Sequence, residues 1–356
     1  MTVTSTDQLL VSSKISPELG WQPFFQQQLS ADEWGKVRPA RVIEQHKSKI
    51  QIILESGETR HMPITGSMPS MTVGDWVLLE SDGRILRVME RQSCFRRKAA
   101  GHKVSEQLLV ANVDTAFIVC SLNDDFNLNR IERYLSVVND AGAIPVVVLT
   151  KKDLCDQADE FAEQVQGLDN MLSVELVNSK DPQSTAQLLL WCVPGKTLVM
   201  LGSSGAGKST LTNALLGEER QEIGAIRQDD DKGRHTTTHR SLLSTPSGAM
   251  IIDTPGMREL QLAECEAGVA TTFADIMDIA VRCRFTDCSH ESEPKCAVRA
   301  AVDSGEIDSR RFENYKKLEK EQAFNAASMS ERRSSAKATT QYQKRVQSNA
   351  KKHKGH

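Results

Sequence analysis

The sequence has no apolar run close to the roughly 18 residues that a membrane-spanning helix needs. Residues 1–20 also lack the basic stretch followed by an apolar stretch that marks a secretory signal. Both absences predict a cytoplasmic protein that has no membrane partner. The 8 cysteines are mostly scattered, and only the last three lie close together, which is not the layout of a secreted disulfide scaffold.

Composition and length then bound the class of protein. Hydrophobic residues make up 39% and charged residues 26% of the chain, which excludes a fibrous or wholly disordered protein. With domains of roughly 100 to 200 residues, 356 residues predict two or three of them. The net charge is -3, yet residues 310–356 contain 13 Lys or Arg against 4 Asp or Glu. This basic end predicts a polyanionic partner, although such ends are often merely solvated. Nothing suggests an oligomer, so we expect a monomer.

Three regions with different residue patterns follow one another along the chain. Residues 1–34 are polar and rich in Gln and predict an extension or a short docking segment. About five short β-type runs between residues 37 and 91 predict a small barrel, for which an OB-fold is the natural candidate and a purely structural role the alternative. From about residue 112 to 255, apolar strands alternate with helical patterns, which predicts a parallel sheet covered on both faces.

The strongest motif matches G-x-x-x-x-G-K-[ST], directly after an apolar strand and at the start of a helix. In such a loop, backbone N–H groups and the positive end of the helix dipole bind phosphate. We expect Lys208 to contact the β- and γ-phosphates and Ser209 to ligate Mg²⁺. The predicted phosphate-binding residues are Gly202, Ser203, Ser204, Gly205, Ala206, Gly207, Lys208, Ser209 and Thr210.

Two weaker motifs stand at the ends of two other predicted strands. Residues 253–256 read D-x-x-G, in which Asp253 would hold Mg²⁺ through water and the Gly256 N–H would sense the γ-phosphate. Residues 150–153 read T-K-x-D, comprising Thr150, Lys151, Lys152 and Asp153. A carboxylate accepts both the N1–H and the N2 amine of guanine, which adenine cannot offer there. Asp153 therefore predicts guanine specificity.

In ordinary GTPases the phosphate loop comes first along the chain and the guanine motif last. Here the order differs, because the guanine motif precedes the phosphate loop and D-x-x-G comes last. The chain thus resembles the circularly permuted ribosome-assembly GTPases of the RsgA (YjeQ) type, from the barrel to the basic tail. The resemblance implies a multidomain α/β protein. Its predicted parts are an extension (1–34), an N-terminal OB-fold β-barrel (35–98), a circularly permuted P-loop GTPase domain (99–270), a C-terminal helical zinc-binding domain (271–324) and a basic tail (325–356).

The cysteine group fits the zinc part of this family. Cys283, Cys288, His290 and Cys296 form a C-x4-C-x-H-x5-C array, which can close a tetrahedral Cys₃His site with no open position. We therefore predict one structural Zn²⁺ and no catalysis there. The alternative is an accidental cluster of reduced cysteines and a surface histidine.

The hydrolytic residue is harder to assign. Ordinary GTPases carry a water-orienting Gln directly after D-x-x-G, whereas this chain has Met257. The family carries a histidine in its G-R-H-T-T-T loop, which makes His235 the catalytic candidate, with a role in binding rRNA phosphate or capping the loop as the alternative. One threonine of residues 236–238 should close over Mg²⁺, and the sequence does not say which.

The chain also departs from the family pattern. Thr150 replaces the more usual Asn, which predicts lower GTP affinity with guanine preference kept, and residues 177–179 read Val-Asn-Ser where Ser-Ala is usual.

The resemblance implies a GTPase that hydrolyses GTP to GDP and phosphate on the small (30S) ribosomal subunit during late 16S rRNA maturation. Binding to the ribosome should speed hydrolysis, and hydrolysis should release the protein. The alternative is a GTP-gated rRNA-binding factor whose hydrolysis is incidental. A P-loop kinase is disfavoured because Asp153 indicates guanine.

Overall fold

A computed structural model describes residues 17–66, 68–98, 106–123, 125–217, 240–253 and 265–324. These residues belong to two compact units, the first drawn from residues 1–95 and 108–260 and the second from residues 96–107 and 261–356. Among the helices in these ranges, none is both long and apolar enough to cross a membrane.

The described residues form thirteen strands, most of them in the first unit. They are β1 Arg38–Gln45, β2 Lys49–Leu54, β3 Thr59–Pro63, β4 Trp76–Leu79, β5 Ile85–Val88, β6 Cys94–Lys98, β7 Glu106–Ala111, β8 Thr115–Ser121, β9 Ile144–Thr150, β10 Ser173–Val177, β11 Thr197–Leu201, β12 Arg240–Ser244 and β13 Met250–Asp253. The helices are α1 Pro23–Gln26, α2 Leu128–Ala141, α3 Ala158–Gln166, α4 Pro182–Thr185, α5 Lys208–Leu216, α6 Glu266–Thr272, α7 Ala274–Ala280 and α8 Ala297–Asp303, and a further helix runs over residues 309–324.

One sheet of eleven strands runs through the first unit in the order β10-β9-β8-β11-β13-β12-β1-β2-β3, with β4 paired to β1 and to β5. The strands β10, β9, β8, β11 and β13 are parallel, as the continuous apolar runs predicted. Their side chains form a core with α5, in which Phe117, Val148, Leu198 and Leu211 are fully buried. β12 runs antiparallel to β13 and pairs on its other side with β1.

Strands β1 to β5 make the small five-stranded structure that the sequence predicted, around a core that includes Val42, Ile52 and Val77. Such an arrangement fits a partly open barrel of the OB type, which remains a prediction. Part of the predicted N-terminal extension packs against it, because Trp21 and Phe25 contact the buried Trp76. The apolar residues of this segment were hidden among glutamines in the sequence.

A buried arginine connects the barrel with the rest of the first unit. Arg41 of β1 donates hydrogen bonds to the carbonyl of Leu19 (2.6 Å), the carbonyl of Gly74 (3.3 Å) and the Thr197 hydroxyl (2.8 Å). Burial lowers the pKa of Arg41 to about 10, against the opposing charges of Asp114 and Asp75, so the guanidinium stays charged at neutral pH. Since Thr197 begins β11, this one side chain joins the N-terminal segment, the barrel and the strand that leads to the phosphate loop.

Candidate GTP site and metal cluster

The described parts of the three predicted nucleotide motifs lie at one edge of the parallel sheet. The guanine motif follows β9, the phosphate loop follows β11, and Asp253 is the last residue of β13. The carboxyl ends of parallel strands meet at one edge, which is where open α/β sheets bind ligands.

The phosphate loop between β11 and α5 has the backbone that its glycines allow. Gly202 has φ +142°, and a Cβ atom there would lie 2.1 Å from the Val119 carbonyl oxygen of β8, so only glycine permits this close approach. Lys208 begins α5, and its Nζ donates to the carbonyl of Gly202 at 2.7 Å and to that of Ser203. Ser204 and Gly205, in the middle of the loop, are exposed to solvent. The loop therefore presents a cationic side chain and a helix N-terminus to a phosphate.

Thr150 joins the guanine motif to the phosphate loop. Its fully buried hydroxyl donates to the Ala206 carbonyl at 2.6 Å, so the shorter side chain still reaches the loop. A Cβ atom on Gly207 would lie 3.4 Å from the Thr150 Oγ1 atom and 3.7 Å from the Ser179 Oγ atom, which places all three residues together. The Ser179 Oγ atom is buried without a hydrogen-bond partner among the described residues. An orphaned buried hydroxyl beside the phosphate loop is a suitable place for a polar ligand.

The backbone after β9 turns the guanine motif outward. Lys151 adopts a left-handed conformation with φ +61°, and a single 3₁₀ turn over Lys152–Leu154 follows. Asp153 is exposed on this turn. A non-glycine residue in the left-handed region marks a local constraint, and such residues often occur at ligand sites.

We predict that Thr150→Val weakens GDP binding about tenfold, because the Ala206 carbonyl then loses its donor in a buried setting. Thr150→Ser keeps the hydroxyl and serves as the matched control. Titration with a fluorescent GDP analogue measures both. Equal affinities of the Val and Ser variants would show that this hydrogen bond does not support the site.

Several predicted residues lie outside the described part of the chain: His235, Gly256, Met257 and the threonines at 236–238. Ser209 and Thr210 follow Lys208 in the first turn of α5, and both are half-buried.

The sequence reasoning missed Asp125, in the loop between β8 and α2. Its carboxylate accepts a hydrogen bond from the Ser203 hydroxyl of the phosphate loop and forms an ion pair with Arg130 of α2. Partial burial alone would raise the pKa of Asp125, but these hydrogen bonds and the charges of Arg130 and Lys151 outweigh it and lower the pKa. An Asp in a polar loop gives no sequence signal of such a contact.

The second unit brings the four predicted metal ligands together. The ligand atoms of Cys283, Cys288, His290 and Cys296 all lie within 4.8 Å of one another. The Cys283 Sγ atom is 3.8 Å from the Cys296 Sγ atom and 3.7 Å from the His290 Nδ1 atom. Zn–S bonds of roughly 2.3 Å in a tetrahedron place sulfur atoms about 3.8 Å apart, so the cluster fits such an ion.

The loop that carries these ligands is held by its own side chains. Glu293 accepts hydrogen bonds from the backbone N–H groups of Ser289 (2.9 Å), Glu291 (3.0 Å) and Ser292 (3.1 Å). Bonds from Ser289 are the main reason that the pKa of Glu293 falls to about 2. His290 has a left-handed backbone with φ +59°. Three cysteines and one histidine on a loop held by the hydrogen bonds of Glu293 are suited to binding a metal rather than to catalysis.

Comparison with known proteins identifies the family. A family model described as RsgA GTPase matches residues 88–263. The chain is 52% identical over 351 residues to a Vibrio parahaemolyticus protein named small ribosomal subunit biogenesis GTPase RsgA 2, covering 99% of this chain and 98% of that protein. It is 48% identical to a Xylella fastidiosa protein named small ribosomal subunit biogenesis GTPase RsgA, covering 80% of this chain and 86% of that one.

Solved structures agree with these relatives. The structure of YjeQ from Thermotoga maritima is similar with a TM-score of 0.62 at 26% identity, covering 81% of this chain and 99% of that one. The structure of YloQ, described as a circularly permuted GTPase, is similar in fold with a TM-score of 0.60 at 24% identity, covering 83% and 98%. The predicted permuted α/β architecture is thereby confirmed. The chain belongs to the RsgA GTPase family and is a GTP-hydrolysing enzyme.

Proposed function

We propose that this GTPase acts in small ribosomal subunit biogenesis, where it binds the 30S subunit and its 16S rRNA and leaves after hydrolysing GTP to GDP and phosphate. The observation that carries the proposal is the 52% identity, over 99% of the chain, to a protein named small ribosomal subunit biogenesis GTPase RsgA 2. The convergence of three nucleotide motifs at one sheet edge supports it, because a phosphate loop, a base-reading carboxylate and an aspartate at a strand end are what binding and cleavage of GTP require.

In this proposal, the triphosphate lies over the phosphate loop. Gly202 to Gly207 wrap the phosphates with backbone N–H groups, and Lys208 moves its three donors from the loop carbonyls to the β- and γ-oxygens. Ser209 and Asp253 would hold Mg²⁺, which neutralises charge on the β- and γ-phosphates when it is bound. The guanine is read by Asp153, while Thr150 and Ser179 support the pocket beside Gly207.

For hydrolysis, we propose that His235 orients or deprotonates the attacking water, since Met257 carries no group that hydrogen-bonds water usefully. Intrinsic turnover should therefore be slow. One threonine of residues 236–238 would close over the γ-phosphate, and Gly256 would sense it. We assign Zn²⁺ to the Cys₃His cluster as a structural ion.

The basic stretch within residues 310–356 supports an RNA partner, because it suits a phosphate backbone. In the first unit, β1 of the barrel is hydrogen-bonded to β12, and β12 is hydrogen-bonded to β13, the strand that ends in Asp253. A force on the barrel would thus reach the nucleotide site through two strand pairs.

The test is GTP hydrolysis with and without purified 30S subunits, with ATP in place of GTP as the control. We expect slow turnover alone and a stimulation of at least about 10-fold by the subunits, restricted to GTP. Unchanged hydrolysis together with tight, GTP-dependent binding to the subunit would instead favour the GTP-gated binding factor. Neither stimulation nor binding would contradict the proposal.

A further inference from the structure

Asp125, between β8 and α2, supplies an acidic side chain to the phosphate loop. Asp125 accepts the Ser203 hydroxyl hydrogen bond with one carboxylate oxygen, and its other oxygen pairs with Arg130. The backbone N–H of Asp125 donates to the Asn123 side chain at 3.1 Å. The carboxylate is therefore held from two sides before any nucleotide binds.

The contact with Ser203 leads on to the phosphate-binding lysine. Ser203 is the second residue of the phosphate loop, and both its carbonyl and that of Gly202 accept hydrogen bonds from the Lys208 ammonium. A side chain that fixes Ser203 thus fixes the peptide on which Lys208 rests. Asp125 reaches Lys208 through one intermediate residue and does not touch it.

Contacts beside Asp125 also reach the segment that follows the guanine motif. The positive charge of Lys151 is among the influences that stabilise ionised Asp125. Next to Asp125, the chain packs toward the helix that follows the guanine motif, since the rings of Phe126 and Phe161 lie 4.4 Å apart between centroids. The segment around Asp125 therefore contacts both the phosphate loop and the helix that follows the guanine motif.

We propose that Asp125 is a positioning residue of the GTP site, which holds the phosphate loop in its binding shape through Ser203. This inference rests on the proposed nucleotide site. It predicts a change in ligand affinity opposite to the change that charge repulsion alone would predict. A carboxylate near a phosphate site repels the ligand, so its removal should tighten binding if charge alone matters. Removal should weaken binding if the carboxylate positions the loop.

The experiment measures the affinity of the full chain for a fluorescent GDP analogue at 0.15 M salt. We expect Asp125→Ala and Ser203→Ala each to weaken binding about tenfold, as for loss of a hydrogen bond to a charged group. Because the two side chains act as one unit, the double variant should be no weaker than Asp125→Ala alone. Steady-state hydrolysis should show a raised KM for GTP with kcat nearly unchanged, since bound phosphates themselves order the loop.

Asp159→Asn is the matched control, because Asp159 is an exposed acid on α3 outside this network, and we expect no change in its affinity. The inference would be overturned if Asp125→Ala binds the GDP analogue as tightly as the unchanged protein, or more tightly. It would also be overturned if the double variant loses affinity by the product of the two single losses. Lys208→Ala distinguishes a failure of the proposed nucleotide site from a failure of the role of Asp125 alone. If it leaves GDP binding intact, the proposed nucleotide site itself is wrong and the role of Asp125 falls with it. If it abolishes binding while Asp125→Ala does not weaken it, only the role of Asp125 is wrong.

Discussion

Asp153→Asn is expected to weaken GDP binding by about 100-fold or more and to strengthen the binding of xanthosine diphosphate. The carboxylate can accept two hydrogen bonds from guanine, and charge-assisted bonds of this kind contribute about 1.5–3 kcal/mol each. An asparagine amide presents one acceptor and one donor. It therefore suits xanthine, which has a carbonyl where guanine has its amine. Competition of the two diphosphates against a fluorescent nucleotide measures the exchange of specificity.

The position of Asp153 separates an effect on nucleotide binding from an effect on folding. Its side chain lies on an exposed 3₁₀ turn, so the substitution should leave the fold unchanged. Asp156→Asn, three residues further on and also exposed, is the control for a lost charge in the same loop. If Asp153→Asn keeps its preference for GDP, the guanine is not read at this turn.

The second large effect is expected from Cys296→Ser. Cys296 is buried, and its Sγ atom lies 3.3 Å from the His290 Nδ1 atom. Loss of one thiolate leaves three ligands around a structural ion, and the energy of zinc binding is folding energy for the segment that carries the ligands. We expect zinc content to fall from about one ion per chain to below about a tenth, and thermal unfolding of the second unit to shift down by roughly 10 °C or more.

Zinc content by elemental analysis and melting by circular dichroism provide the two readouts. Cys265→Ala is the matched control, because this cysteine is also buried in the second unit and lies outside the cluster. It should retain its zinc. A Cys296→Ser protein that retains a full complement of zinc after treatment with a chelator would refute the assignment of Cys296 as a ligand.

Local patterns in the sequence were enough to place the motifs and part of the strands, whereas β3, β6, β7, β10 and β12 were not predicted. β11 and α5 lie directly before and after the phosphate loop, as its motif predicted, since both are decided by residues close together in the chain. The pairing of β1 with β12 was not predictable, because its partners are nearly 200 residues apart and neither carries a pairing signal. The contacts of Arg41 with Leu19 and Thr197 and that of Asp125 with Ser203 are non-local in the same way.

The shared strand pair between β1 and β12 limits how the molecule can be divided. If the barrel were removed, β12 would become an edge strand, with its free N–H and C=O groups open to another chain. Removal would also strip Arg41 from Thr197, whose hydroxyl is buried at the start of β11. A shortened GTPase core would therefore be prone to self-association, and strands β1 to β5 cover this edge of the core.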